Sequence, residues 1–433
     1  MCNQDQFLKE SINEQRRSFL KYSSVGFASS YLFLNSAYGI NSVPARIPDL
    51  NMLDFGAKGD GVNDDSFAFQ RACDVAAKLG GARIHLPDPD KYYRLLFPVY
   101  LSDNTEVFGQ GESTKILFED PLFVKGRGGF VIGSSKEANR EYAKQRYLHK
   151  QNMTTINPNF KNPEQRQYLR DNPKFLQAEN SVIHDLYIES QFTQQNINDW
   201  GGYGINFVNA RNCHAYNIWG RGWTQLIGMG SDVPPETPSN HNCSARNLHV
   251  ISPDLKRTYY SIGFIANSTN CVIESAQQHS PMTPGSLNGS GVATNLCEDC
   301  IIKNIQIPDL GKTVTSEGVL INNSSGCSVE NILIGNARTA VSVFYSDAKT
   351  LNPEKPNYFS NIKGINCEVV LAVYSKFNVI RSVSGVNSMF NILLKNANAT
   401  NNSIYSSPED VAASKNLSQH FLSVHKFITS QLR

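Results

Sequence analysis

Asn212-Cys213-His214-Ala215-Tyr216-Asn217-Ile218 is answered thirty residues on by Asn242-Cys243-Ser244-Ala245-Arg246-Asn247-Leu248. The shared pattern is small residue, any, aliphatic, any, Asn, aliphatic, the small residue usually being Cys after Asn, Asp or Gly. It returns at Asp299-Cys300 to Asn304-Ile305 and at Gly326-Cys327 to Asn331-Ile332, with a degenerate copy at Cys271. Weaker copies start at Ser181, Ser360, Asn378 and Asn402, so successive first positions lie 32, 30, 28, 29, 27, 33, 18 and 24 residues apart. Self-similarity at such a period marks stacked repeats, each burying its apolar face only against its neighbours. The expectation is an elongated solenoid, within which equivalent residues of successive rungs stack into columns.

This register governs the reading of the nine cysteines. An odd number spaced by the repeat argues against a disulfide framework. Free Cys behaves as a small buried hydrophobe, so Cys213, Cys243, Cys271, Cys300 and Cys327 are expected to form an internal column of thiols. Cys297 and Cys300 make a lone Cys-x-x-Cys with no second pair, too little for a zinc site.

Composition narrows the rest. The chain has 433 residues, of which 18% are charged, and its net charge is +2, so no global field calls for nucleic acid or a membrane surface. No apolar run is long enough for a membrane span. At the N-terminus, Arg16-Arg17-Ser18-Phe19-Leu20-Lys21 precedes a moderately apolar stretch and small residues at Ser36-Ala37. It resembles a twin-arginine export signal, expected to occupy residues 1–39. That resemblance implies export of a folded chain by the twin-arginine translocase to the periplasm or exterior, and thiols folded in a reducing compartment need no oxidation.

Beyond a short linker, Leu53-Asp54-Phe55-Gly56-Ala57-Lys58-Gly59-Asp60-Gly61-Val62-Asn63-Asp64-Asp65-Ser66 is a glycine-rich loop. Asn63 or Asp64 is expected to cap a helix with Phe69, Ala72, Cys73, Ala76 and Leu79 on one face, closed by Gly80-Gly81. A helix across one end hides the open terminus of a solenoid. With Gly80-Gly81-Ala82-Arg83-Ile84-His85-Leu86-Pro87 and Gly109-Gln110-Gly111-Glu112-Ser113-Thr114, this segment resembles the entry region of the pectate-lyase-like superfamily. The resemblance implies an all-β fold: one right-handed parallel β-helix over residues 40–407, active on polysaccharides. Asp60, Asp64 and Asp65 then belong to a structural entry element. Residues 134–179, with nine Lys/Arg against five Asp/Glu and a helix-like run from Lys136 to His149, read as an insertion. Residues 408–433 read as a C-terminal capping helix starting at Ser407-Pro408-Glu409-Asp410.

Strand interiors of such a fold are packed, so ligands are expected on the outer face and its loops. The loops after the repeated strand carry Arg221 and Trp223, then Lys256, Arg257, Tyr259 and Tyr260, then His279, Lys312, Glu317 and Arg338, and finally Tyr345. Aromatic rings stack on sugars, and Arg and Lys pair with carboxylates. Glycoside hydrolysis needs two flanking carboxyl groups, whereas Asp254, Asp309, Glu317 and Asp347 lie singly on different rungs. Eliminative cleavage of a uronate polymer needs a cation to neutralise the carboxylate and a base to remove the C5 proton. The leading expectation is therefore a lyase on an anionic polysaccharide. Arg221, Lys256, Arg257 and Arg338 would meet carboxylates, Tyr259, Tyr260 or His279 would supply the base, and Trp223 and Tyr345 would stack on sugars. Lys312 and Glu317 join the substrate-binding set.

The chain departs from the family's catalytic signatures. It lacks a recognisable calcium-site Asp cluster and the Arg-x-Pro-x-x-Arg of pectate lyases, so no cofactor is expected, with calcium the one ion left open by the resemblance. Tyr203-Gly204-Ile205-Asn206 approaches the epimerase pattern and leaves it at the acid. A glycoside hydrolase is the alternative enzyme. The non-enzymatic alternative is a glycan-binding or assembly factor, because the chain also resembles exported β-helix proteins encoded with exopolysaccharide biosynthesis genes. His184, His214 and His249 fall within repeats and are expected to be ordinary strand residues.

Overall fold

The computed structural model describes residues 47–96, 98–119, 128–133, 178–191, 202–230, 240–252, 260–281, 289–311, 316–344, 354–394, 399, 401–405 and 411–413. Among these, strands stack into sheets of 14, 11 and 4 members, and the neighbours pair parallel. The fold is an all-β parallel β-helix. One rung runs from a strand of the wide 14-stranded sheet, such as His214–Arg221, to one of the 11-stranded sheet, such as Gln225–Met229. Asn240–His241 of the short sheet then leads into the next wide-sheet strand, Ser244–Ser252.

The Asn positions of the repeat explain how a rung turns. Asn212, Asn217, Asn242 and Asn247 all have φ near +50°, a left-handed conformation that Asn tolerates better than other side chains. The first of each pair turns the chain into the wide sheet. The second bends the strand: the ladder pairs Tyr216 with Arg246 and Ile218 with Leu248 but skips the Asn between them. Their amides also bond along the axis, Asn247 Nδ2 donating to Asn217 Oδ1 at 2.6 Å and Asn242 Nδ2 to Asn212 Oδ1 at 2.7 Å.

The cysteine column is present. Cys213, Cys243, Cys271, Cys300 and Cys327 are buried and carry no disulfide. Its role is polar as well as apolar. Ser181 N–H donates to Cys213 Sγ, and Cys271 N–H donates to Cys300 Sγ, both at 3.4 Å. Cys327 N–H donates to Asn357 Oδ1 at 3.0 Å, and Asn378 N–H to Asn402 Oδ1 at 2.9 Å. Ser, Cys and Asn therefore serve alike at this position, each offering an acceptor to a backbone N–H that would otherwise be buried unpaired. Asn357, not Ser360, is the column's member on its rung, because Tyr358 pairs with Ser328.

At the N-terminal end, helix α1 (Ser66–Lys78) buries Phe69, Ala72, Cys73 and Ala76 against the first rungs. Phe69 meets Tyr93 edge-on at 5.3 Å. Leu79 falls past the last helical residue and is 53% exposed, so it does not share that face. Asp65, 1% exposed, accepts from the N–H groups of Lys58, Gly59 and Arg94. Asp64 accepts from Ser66 N–H, and Asp60 from Val62 and Asn63 N–H. All three acids thus hold the entry loop.

One expectation changes at the C-terminal boundary. Val411–Ala413 is a strand that extends the 11-stranded sheet by pairing with Phe390–Leu394, not the start of a helix. The solenoid's open edge offers that segment a ladder of hydrogen bonds. The rest of the expected C-terminal helix, the signal segment and residues 134–177 of the insertion lie outside the described residues. Within the described residues, no helix is long and apolar enough to cross a membrane.

Candidate functional site

The turn from the wide sheet into the 11-stranded sheet places the site. On one rung it is only Gly222-Trp223-Thr224, between Arg221 and Gln225. Gly222 has φ +74°, and a Cβ there would lie 2.3 Å from Ser190 O, so the turn hugs the rung before it. Trp223 Nε1 donates to Ile188 O at 3.1 Å, and Thr224 Oγ1 donates to Gly202 O at 2.8 Å. The Trp223 ring is 3% exposed and meets Phe118 edge-on at 5.5 Å. It therefore has no face to offer a sugar, and its expected role in stacking is replaced by that of an internal anchor.

On the outer face of the 11-stranded sheet, Tyr203 pairs with Gln225 and Asn206 with Gly228. Neighbouring strands lie ~4.8 Å apart, so these four residues form one patch. A Cβ on Gly228 would come 2.4 Å from the Tyr203 ring and 2.9 Å from Asn206 Oδ1. The ring therefore rests on the bare backbone of Gly228, beside the Asn206 amide. Gln225 is 2% exposed, and its Oε1 is buried without a hydrogen-bond donor. Further along, Tyr260, Ser290, Glu317 and Thr339 occupy one register row on successive rungs. The Tyr260 ring stacks on Phe264 at 4.9 Å. Arg338 immediately precedes that row, 3.9 Å from Glu368.

Arg221 stands at the trailing end of the wide sheet, register-paired with Glu189. The Tyr187 hydroxyl donates to Glu189 Oε2 at 3.2 Å. Burial pushes the Tyr187 phenol up to about 12, with Glu189 adding to the rise and Arg221 opposing it. Tyr187 thus serves as a donor, not a base, at neutral pH. Next along this face, Trp219 stacks on His249 at 5.1 Å, and His249 stacks on His279 at 5.3 Å. His249 Nδ1 and His279 Nε2 are 3.0 Å apart and share a hydrogen bond. Burial lowers the His249 pKa, and the neighbouring His279 lowers it further.

Of the residues expected from sequence, Arg221, Tyr260, His279, Glu317 and Arg338 lie along this one corner. Lys256, Arg257, Tyr259, Lys312 and Tyr345 lie outside the described residues. Sequence reasoning missed Gln225 and Gly228, whose place depends on register with Tyr203 and Asn206. Among the described residues, no cluster of three or more His, Cys, Asp or Glu could hold a metal ion.

His184 is a strand residue with a distinct electrostatic setting. It is 8% exposed and stacked between Phe108 and Tyr216. Its Nε2 lies 2.9 Å from Glu106 Oε1, and its Nδ1 lies 2.6 Å from Asp185 Oδ2. Burial disfavours its charge, but the bonds to Glu106 and Asp185 outweigh burial and raise its pKa above 6.5. The His184 bond, aided by Arg83, lowers Glu106 below 4.5. The signs are opposite. Stability from His184 is full below pH 6.5 and fades as pH rises through its raised pKa, whereas that from Glu106 is full above pH 4.5 and fades on acidification through its lowered one. Both contributions are present between these limits. Thermal unfolding midpoints across pH should be highest in this window, and His184→Gln should lose the decline on its alkaline side. An unchanged profile in that variant would exclude the network as the cause.

With the site's geometry in hand, comparison with known proteins gives three results. Residues 50–161 match the family described as "Rhamnogalacturonase A/epimerase, pectate lyase-like". Alginate lyase 7 of Azotobacter vinelandii is 54% identical over 39 residues, covering 9% of this chain and 5% of that protein. Mannuronan C5-epimerase AlgE6 of the same organism is 52% identical over 44 residues, covering 10% and 5%. The chain thus spans about a twentieth of the length of these curated relatives. Among solved structures, the tailspike protein of E. coli bacteriophage HK620 in complex with a pentasaccharide superimposes with a TM-score of 0.52 at 13% identity, covering 84% of this chain and 63% of that one. At such low identity the likeness shows the fold alone. The parallel β-helix observed over the described residues thus joins a pectate-lyase-like match at the chain's N-terminal end.

Proposed function

We propose that the protein acts on an anionic polysaccharide as a lyase, with the polymer lying on the outer face of the 11-stranded sheet. The observation that carries this reading is the Tyr203 ring seated on Gly228 beside Asn206, one turn from Arg221. Arg221 neutralises a uronate carboxylate, which acidifies the C5 proton. The Tyr203 phenolate takes the C5 proton, the C4=C5 double bond forms as the C4–O glycosidic bond breaks, the proton passes from Tyr203 to the departing oxygen, and the Asn206 amide orients the same sugar. His279, whose Nε2 is engaged by His249, stands on the same corner as a second candidate base. The similar proteins named as an alginate lyase and a mannuronan epimerase support a uronate polymer as the substrate class. The resemblance of Arg16-Arg17-Ser18-Phe19-Leu20-Lys21 to a twin-arginine signal supports export to the periplasm or exterior, which cell fractionation of a variant with Arg16→Lys and Arg17→Lys tests.

The mature protein should be incubated with a panel of acidic polysaccharides while ultraviolet absorbance of unsaturated uronates and new reducing ends are followed. Both signals together support the lyase, and Tyr203→Phe should lower its rate ~10²–10⁴-fold. Reducing ends alone would mean a glycoside hydrolase. Binding with neither product would leave a glycan-binding factor and sink both enzyme readings.

A further inference from the structure

A buried polar atom without a partner is rare in native structures and asks for a physical reason. Gln225 Oε1 is such an atom, and its place is specific. It follows the anchored turn Gly222-Trp223-Thr224 and pairs in register with Tyr203 on the outer face. Leu226 already fills the interior beneath, its side chain reaching the positions a Cβ on Gly204 or Gly220 would take. The amide therefore belongs to the patch that holds Tyr203, Asn206 and Gly228. An amide oxygen accepts hydrogen bonds, so a carboxylate, which only accepts, does not satisfy it. A sugar hydroxyl does.

We propose that Gln225 is a specificity-determining residue that receives a hydrogen bond from a free hydroxyl of the sugar bound at Tyr203, so that the site distinguishes polymers with free hydroxyls from O-acetylated ones. This rests on the polysaccharide reading above and adds to it which group is read. Selection by such a buried polar group is strong, because a sugar lacking the hydroxyl leaves the acceptor unpaired.

The test uses calorimetric binding of polymannuronate and of its chemically O-acetylated derivative to the mature protein and to Gln225→Met, a swap of similar shape without the amide. The expected result is a loss of about tenfold in affinity for polymannuronate on substitution, with affinity for the O-acetylated polymer unchanged. Equal losses on both polymers, no loss on either, or no binding of either by the parent protein would overturn the proposal. Thermal unfolding gives a second reading that needs no ligand. Gln225→Met should match or exceed the parent's midpoint, because it removes an unsatisfied acceptor, and a clear drop would show that the amide is bonded in the free protein. Polymannuronate that binds with the expected Gln225 dependence yet yields no unsaturated product would refute the lyase and leave the hydroxyl reading standing.

Discussion

Replacing Trp223 by Ala should destabilise the protein by about 3–5 kcal/mol, the usual range for deleting a large buried aromatic side chain. The ring is 3% exposed and packs edge-on against Phe118, which in turn meets Phe130 edge-on at 5.5 Å. Truncation therefore opens a cavity among aromatic rings of several rungs, and rungs fixed by parallel ladders on both sides cannot collapse to fill it. It also removes the hydrogen bond that Trp223 Nε1 donates to Ile188 O. Trp223→Phe isolates the second effect: it keeps most of the packing and should cost well under the full amount. Denaturant unfolding followed by circular dichroism is the measurement. A loss for Trp223→Ala below about 1 kcal/mol, as for an exposed ring, would restore the surface role expected from sequence.

That residue shows where the sequence was legible and where it was not. The fold could be read because the repeat encodes local backbone requirements. Asn212, Asn217, Asn242 and Asn247 recur where the chain needs a left-handed residue, and the small residue after the first Asn recurs where a buried N–H needs an acceptor. The same logic explains the one misplaced copy. Asn357 does the work of a cysteine with an amide, so the small-residue pattern fits Ser360 better in the sequence than the residue that joins the column. Sites depend on facing, which composition does not carry. Trp219 and Trp223 flank Arg221 in sequence, yet the turn sends the first ring outward onto His249 and the second inward onto Phe118. The pairing of Tyr203 with Gln225 spans 22 positions, with one strand of each of the other two sheets between them, so only register brings them together. Tyr203 and Asn206 did leave a trace as a near-match to a catalytic pattern, but Gly228, which gives the ring its seat, reads in the sequence as any other strand glycine.

Gly228 therefore provides the sharpest test of the site. Gly228→Ala should lower kcat/KM on the substrate polymer by about 100-fold while the fold survives. The backbone at Gly228 does not need glycine, because its φ lies outside the left-handed region where a side chain is strained. What the methyl meets is the Tyr203 ring, at 2.4 and 2.7 Å, and Asn206 Oδ1 at 2.9 Å. Real Cβ contacts do not approach so closely, so the half-exposed Tyr203 ring must shift by about 1 Å, and misplacing a reacting group by that much costs on the order of 10²-fold in rate. The stability cost of the extra methyl should stay within the ~1–3 kcal/mol of ordinary overpacking. Gly364→Ala supplies the contrast. Its Cβ would meet Val370 at 2.8 Å and Cys367 Sγ at 3.3 Å, a clash confined to interior side chains several rungs away. It should cost stability and leave kcat/KM per folded molecule unchanged. If the two variants lose activity in proportion to their loss of stability, the outer-face patch is not where the chemistry happens. If Gly228→Ala alone loses it, Tyr203 does its work from that seat.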